Sequence, residues 1–164
     1  GDWQNAGYVA IPISDFFDHS PLLPGDTATV SIRITNRGEQ SYTLTGFGLR
    51  CGNASDETPI VIDGESYYLG SQISIVSGET PETDPSDDHL VSNPLWNATN
   101  GGTVTLSSAS NTIDVGESVV YTFSLAFVDT GEEQNAYRGF GSASDGSKGF
   151  CRRAIWFECT ELSN

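Results

Sequence analysis

The sequence predicts an all-β protein, a jelly-roll or immunoglobulin-like antiparallel β-sandwich. Three observations predict this class. Apolar and polar residues alternate over two long stretches, clusters of Gly, Pro, Asn, Asp and Ser separate the apolar segments, and no long stretch has the periodicity of an amphipathic helix. Seven or more short strands with such punctuation are typical of a sandwich. A chain of 164 residues is long enough for one domain with its own hydrophobic core.

The two longest predicted strands have the clearest alternation. The apolar face of the first strand consists of Ala28, Val30, Ile32 and Ile34. The apolar face of the second strand consists of Val119, Tyr121, Phe123, Leu125 and Phe127. Similar turns precede them, Pro24-Gly25-Asp26 in one case and Val115-Gly116-Glu117 in the other. The two segments align at an offset of about 91 residues with their apolar phases in step. We therefore expect two related edges or sheets of one sandwich.

Five further strands are predicted from apolar runs between turn residues, at 7–13, 42–51, 66–76, 103–106 and 154–160. In the second of these the apolar phase changes between Leu44 and Phe47, which predicts a β-bulge at Gly46.

The domain organisation follows from these strands. Residues 1–13 are predicted as an N-terminal strand, and 14–164 as a single sandwich domain. Within that domain, 78–88 have no apolar side chain, so the region near 77–96 is predicted as a long acidic surface loop.

The net charge limits the partners of the protein. Twenty-two acidic residues stand against seven basic ones, which gives a formal charge of −15. Such a surface repels nucleic acid and anionic lipid, so neither is expected as a partner. No apolar run is long enough for a membrane span.

An acidic surface also attracts divalent cations, although it can serve only to keep a protein soluble in a salty medium. The acidic loop offers carboxylate oxygens of the kind that Ca²⁺ takes. The carboxylates lack an ordered ligand spacing, so we expect that no cofactor is required. Calcium is the candidate ion for these oxygen ligands. Its candidate ligands are Glu82, Asp84, Asp87 and Asp88.

Several features indicate export. The sequence contains no methionine and begins Gly-Asp-Trp, so we expect a processed chain that has lost a leader and acts outside the cell or at its surface. The segments Asn53-Ala54-Ser55 and Asn97-Ala98-Thr99 are sequons in turn-rich regions, so glycans are expected at Asn53 and Asn97.

The three cysteines predict one disulfide and a spare thiol, or an intermolecular link. Cys151 and Cys159 flank a predicted strand, which holds them too far apart to bridge each other. An intrachain disulfide would therefore join Cys51 to Cys151 or to Cys159. We favour Cys51 with Cys151, because Cys159 shares a strand face with Ile155 and Phe157 and is expected to be a buried free thiol.

No catalytic constellation is recognisable in the sequence. It contains two histidines, His19 and His89, and lacks the common nucleophile, zinc and phosphate-binding motifs. The sequence thus predicts a protein without enzymatic activity.

Two parts of the chain resemble a known family. The first comprises Gly7–Ile11, the turn Leu22–Thr27 and a strand that closes in Thr35–Gly38, and the second comprises Gln134–Gly139 and the final strand Ala154–Thr160. They resemble the short strand, the Leu-x-Pro-Gly-Asp turn, the closing Asn-x-Gly, the Asn-x-Tyr-Gln-Gly element and the last strand of the TasA/camelysin-like secreted proteins. The resemblance covers about the outer half of the chain.

Members of that family are jelly-roll-like sandwiches that form biofilm fibres, and related archaeal proteins form bundling pili. In those pili, an N-terminal strand of one subunit completes a sheet of the next. The resemblance implies that identical subunits of this chain form an extracellular filament by β-strand addition. The residues expected in the assembly strand are Tyr8, Val9, Ile11 and Ile13.

Two alternatives remain open at this stage. The N-terminal segment can instead form the first strand of its own domain. The protein can instead be a monomeric cell-surface adhesin or carbohydrate-binding domain that uses its acidic loop or its tryptophans, Trp3, Trp96 and Trp156, to contact a ligand.

Overall fold

The computed structural model describes residues 10–18, 21–77, 89–107, 109–140 and 148–162. Over these ranges the chain is all-β, with antiparallel sheets and no helix of seven or more residues. Their strands are β1 (Ile11–Pro12), β2 (Thr27–Thr35), β3 (Tyr42–Arg50), β4 (Glu57–Thr58), β5 (Ile60–Ile62), β6 (Glu65–Tyr67), β7 (Ile73–Ser77), β8 (Val104–Ser107), β9 (Asn111–Ile113), β10 (Ser118–Phe127) and β11 (Phe150–Glu161).

Two sheets form the sandwich. The larger sheet has the order β1-β11-β3-β8, with β4 also paired to β11 and β9 to β3, and the smaller sheet has the order β2-β10-β7. Strands β5 and β6 form a separate hairpin. The sheets pack face to face, as in the stacking of Phe47 on Tyr121 at a ring-centroid distance of 4.4 Å. The all-β sandwich that the sequence predicts is thereby confirmed.

The core lies between these sheets and follows the predicted alternation. Phe123, Leu125 and Phe127 of β10 are buried on one side, and Leu44 and Phe47 of β3 on the other. In β3, Leu44 pairs with Cys159 and Gly46 with Glu158, so Thr45 is the extra residue of a bulge. This confirms the bulge predicted at Gly46 and explains how the apolar phase can change while both flanking side chains stay buried.

Strands β2 and β10 are direct neighbours in the smaller sheet and not two separate edges or sheets. Ser31 pairs with Thr122, and their hydroxyl oxygens lie 2.9 Å apart. Residues related by the 91-residue offset occupy equivalent positions about this pair. The sequence repeat therefore corresponds to a local two-fold axis that relates the antiparallel strands β2 and β10.

The turns obey the same symmetry. The N–H of Gly25 donates to the carbonyl of Phe127 at 2.6 Å, and the N–H of Gly116 donates to the carbonyl of Asn36 at 2.8 Å. Each turn thus closes onto the far end of the partner strand. Both glycines have positive φ, 95° and 84°, a conformation that other residues seldom adopt, which explains why both turns contain glycine.

Two predicted strands are shorter in the structure. In the described part of 7–13, only Ile11–Pro12 is a strand, and a 3₁₀ helix follows at Ile13–Phe16. The predicted strand 66–76 divides into β6, a 3₁₀ helix at Leu69–Gln72 and β7. Gly70 lies in this helix where a Cβ would be 2.7 Å from the Cβ of Trp96, so close packing replaces the predicted ladder.

Asn36 joins the two halves of the sandwich at a corner. Its Nδ2 donates to the carbonyls of Gln40 and Ile113, and its Oδ1 accepts the N–H of Gly38. Its backbone also bonds to Gly116 and Glu117. All the polar atoms of this buried residue therefore have partners.

We predict that Asn36→Ala lowers the free energy of unfolding by roughly 2–3 kcal/mol, because it leaves buried carbonyl and amide groups without partners. Urea titration measures the change. Asn135→Ala is the control, since that exposed side chain bonds only to Glu133 among the described residues. An equal loss for both variants would contradict the corner role of Asn36.

Candidate functional site: the open edge of the last strand

The last strand has an edge that the described strands leave largely without a partner. On one side, Ala154–Glu161 of β11 pairs with β3 over its whole length. On the other side, β1 reaches only Arg152 and Arg153. Among the described residues, nothing pairs with the outer edge of Ala154–Glu161, so alternate N–H and C=O groups face outward there.

Apolar side chains along this edge are incompletely covered. Phe157 pairs directly with Phe47, so the two side chains point to the same, core-facing side of the sheet. Phe47 is 1% exposed, whereas Phe157 is 55% exposed. Cys159 repeats the pattern, since it is exposed while its partner Leu44 is buried. The core-facing side of the sheet is therefore open along this edge.

The N-terminal segment approaches the edge from one end. Ile11 pairs with Arg153 and Pro12 with Arg152, antiparallel to β11. The 3₁₀ helix Ile13–Phe16 then contacts both β11 and β2, so it crosses from one sheet to the other. Ile11 thus lies beside the residue at which the open edge begins.

The predicted assembly residues have different positions. Tyr8 and Val9 lie outside the described residues. Ile11 is half-buried on the edge of its own β11, and Ile13 is fully buried in the core of its own domain. The alternative that this segment forms a strand of its own domain holds for Ile11–Pro12. Any donor strand is consequently limited to the residues that precede Ile11.

A buried ion pair supports β11 where the open edge begins. The guanidinium of Arg153 lies 2.8 Å from the carboxylate of Glu57 on β4, and both side chains are almost wholly buried. The carboxylate also accepts the N–H of Gly70, and the guanidinium donates to the carbonyl of Leu95. The pair therefore ties three other parts of the chain to β11.

The sequence contained a signal for this pair that the prediction of strands did not use. Arg153 occupies the same alternating phase as the apolar residues Cys151 and Ile155, where an arginine is unusual. A charge at a core position needs a buried partner. Which carboxylate provides it depends on the tertiary structure.

The structure has all three cysteines as free thiols, with Cys151 buried, Cys51 partly buried and Cys159 exposed. The expectation that Cys159 is buried is therefore wrong, because the core-facing side of the sheet is open where this residue lies. Burial raises the pKa of Cys151 well above its ordinary value, and the Glu57 carboxylate raises this pKa further. Burial also raises the pKa of Cys51, against the opposing effect of Arg153. Both thiols neighbour the ion pair. Since the structure has them unbonded, the disulfide between Cys51 and Cys151 stays a prediction.

These raised pKa values link stability to pH. A thiol whose pKa is higher in the folded state stabilises the fold below the pKa of the unfolded thiol, about 8.5. That contribution is lost as the pH rises through the folded pKa. The two thiols therefore favour the fold at neutral pH, where they are uncharged. In alkali they become thiolates, and burial of these charges opposes the fold.

The two predicted glycosylation sites lie in loops. Asn53 caps a 3₁₀ helix at Ala54–Asp56, and Asn97 begins a tight turn. The candidate calcium ligands Glu82, Asp84, Asp87 and Asp88 lie outside the described residues. Within the described ranges, no three His, Cys, Asp or Glu side chains converge to hold a metal ion.

The two described tryptophans pack against other parts of the chain. Trp96 stacks on Tyr68 with ring centroids 3.8 Å apart. Trp156 lies on the outer face of the larger sheet, close to Gly46 and Gly48, and its Nε1 donates to the carbonyl of Val104.

No protein-family model, curated protein or solved structure matches this chain. In the part of the chain that the structure describes, no helix is long and apolar enough to cross a membrane.

We predict that Arg153→Met lowers the free energy of unfolding by about 3–5 kcal/mol, because it leaves the Glu57 carboxylate buried without its counter-charge. The double variant Glu57→Gln with Arg153→Met removes both charges and keeps an acceptor for Gly70. It should be more stable than Arg153→Met alone in urea titrations. Independent, additive losses would show that the two groups do not interact.

We predict that Cys159 is the first thiol to react when the native protein is treated with iodoacetamide, because it alone among the three is exposed. Peptide mass spectrometry identifies the alkylated residue. After unfolding without a reductant, the predicted Cys51–Cys151 disulfide would leave Cys159 as the single reactive thiol. Alkylation of all three under those conditions would contradict the disulfide.

Proposed function

We propose that this protein is a structural subunit of an extracellular filament, in which subunits join by β-strand addition at the open edge of β11. The observation that carries the proposal is the edge Ala154–Glu161, where a backbone that no described residue pairs with coincides with an exposed, core-facing Phe157. Long unpaired edges invite association with another strand, and natural proteins usually protect them.

The edge has the properties of an acceptor for an extended segment. A strand added there satisfies the outward N–H and C=O groups, and its alternate side chains cover Phe157 and its neighbours. Eight residues at about 3.3 Å each give a ladder of roughly 26 Å. Main-chain hydrogen bonds would supply affinity, and the aromatic side chain would favour small or apolar residues in the added strand.

The sequence before Ile11 is long enough to be that strand. If the register of Ile11–Pro12 continued one residue at a time, residue 10 would lie opposite Ala154 and residue 3 would lie opposite Glu161. The same stretch of chain can cover its own edge or the edge of a neighbour. Use of a neighbour's edge is a head-to-tail contact, which need not close and so generates a filament.

The resemblance to TasA/camelysin-like proteins supports the intermolecular form of this pairing. The surface charge adds a condition, because subunits of formal charge −15 repel one another at low ionic strength. Salt should therefore favour assembly. A location outside the cell and a homopolymer of identical chains belong to the same proposal.

The alternative function is that of a monomeric adhesin or carbohydrate-binding domain. Such a domain would stay monomeric at all salt concentrations and would bind an external ligand. Whether the purified protein is monomeric or polymeric thus distinguishes the two proposed functions.

We predict that removal of residues 1–9 gives a folded monomer that forms no filaments. This truncation keeps Ile13 in the core and keeps β1 on β11, so the domain should fold. Phe157→Asp should also prevent assembly, because it introduces a charge beneath the added strand. Negative-stain microscopy and light scattering measure the outcome.

Val120→Asp is the matched control. Val120 is 51% exposed, about as much as Phe157, but it lies on β10 in the other sheet. This variant should form filaments like the unchanged protein. Filaments of normal morphology from the truncated protein would refute strand addition by the N-terminal segment, and equal loss of assembly in both point variants would refute the role of the β11 edge.

A further inference from the structure

The two sequons share one local geometry. In the first, the Oδ1 of Asn53 accepts the N–H of Ser55 at 3.0 Å and also contacts the Ser55 hydroxyl. In the second, the Oδ1 of Asn97 accepts the N–H groups of Thr99 at 2.8 Å and Asn100 at 2.7 Å. Each asparagine thus uses its side-chain oxygen to cap the turn that follows it.

The side-chain nitrogens distinguish these two residues from the other asparagines. Seven asparagines lie in the described ranges. In five of them Nδ2 donates a hydrogen bond within the protein, namely Asn36, Asn93, Asn100, Asn111 and Asn135. The Nδ2 of Asn53 and of Asn97 donates to none of the described residues. Of the described asparagines, the two whose Nδ2 has no partner in the described ranges are therefore those that the sequons mark.

The two sites lie in adjacent loops. A Cβ on Gly102, in the loop that follows Asn97, would lie 2.4 Å from the Sγ of Cys51, which precedes Asn53. The residues of the first sequon are exposed, as are Ala98 and Thr99 of the second.

The loops lie at the end of the sandwich from which the open edge runs. Both lie at the end of the sandwich that holds Arg153, beside which β1 pairs. The open edge runs away from this end, towards Glu161 opposite Tyr42.

We propose that Asn53 and Asn97 both carry N-linked oligosaccharides. At each site Nδ2 forms a bond to the anomeric carbon of a sugar. The bond between that carbon and a phosphate oxygen of a lipid-linked donor breaks, so the phosphate leaves with the electron pair and the amide loses one proton. Because Oδ1 keeps its capping role, both turns retain their conformation in the modified protein.

Mass spectrometry of peptides from the protein made by its own cells tests this proposal. Peptides that contain Asn53 and Asn97 should have the mass of the peptide plus a series of sugar residues. Asn53→Asp and Asn97→Asp should abolish the added mass and leave the melting temperature of the unglycosylated fold unchanged, since aspartate keeps the capping oxygen. Asn97→Ala should lose both the added mass and part of the stability.

The hydroxyl-bearing residue of the second sequon, Thr99, supplies matched controls. Thr99→Ala removes the sequon but keeps the capping asparagine, whereas Thr99→Ser keeps both. The first variant should lose the sugar at Asn97 and the second should retain it. Unmodified mass for both peptides of the exported protein would overturn the proposal, and unmodified mass at one site would overturn it for that site. These outcomes do not depend on whether the protein forms filaments.

Discussion

The ion pair between Arg153 and Glu57 is the interaction on which the candidate site depends. It lies at the point where β11 leaves its contacts with β1 and β4 and, of the described strands, continues with β3 alone. Burial of two charges costs several kcal/mol, and the pair recovers this only through close geometry and further hydrogen bonds. Those bonds reach Gly70, in the 3₁₀ helix Leu69–Gln72, and Leu95, in a loop. The cost of separating the charges therefore opposes any displacement of β4, this helix, this loop or the first half of β11.

Because the ion pair holds the first half of β11, it also supports the second half of this strand. The outer edge from Ala154 to Glu161 projects from a rigid base, with its backbone ordered in strand geometry before any partner arrives. An ordered edge loses little conformational entropy when a strand is added, so more of the hydrogen-bond and apolar contact energy appears as affinity. The same edge presents Phe157, whose exposure contrasts with the burial of its cross-strand partner Phe47. These properties distinguish this edge from that of β2, where the exposed face carries Arg33 and hydroxyl side chains.

The local two-fold axis between β2 and β10 gives the smaller sheet a different kind of stability. Each turn bonds to the end of the partner strand, and Asn36 adds bonds to the loop that joins β2 to β3. The end of the sandwich opposite Arg153 is thus held by neutral hydrogen bonds and not by buried charge. In the proposed filament, the acidic surface acts on the association of subunits, where salt screens it.

The sequence by itself determined the all-β class, the two long strands with their glycine turns, the bulge in β3 and the positions of the sequons, because each depends on residues close together in the chain. Only the tertiary structure decided that β2 and β10 are neighbours, that 66–76 contains a 3₁₀ helix, and that Ile13 belongs to its own core. Alternation shows which face of a strand is buried but not which strand lies beside it. The open edge was equally inaccessible to the sequence, since an edge is defined by strands that are absent from one side. The Nδ2 atoms of Asn53 and Asn97, which have no partner among the described residues, became distinguishable only when the partners of the other described asparagines, several of them distant in the chain, were in place.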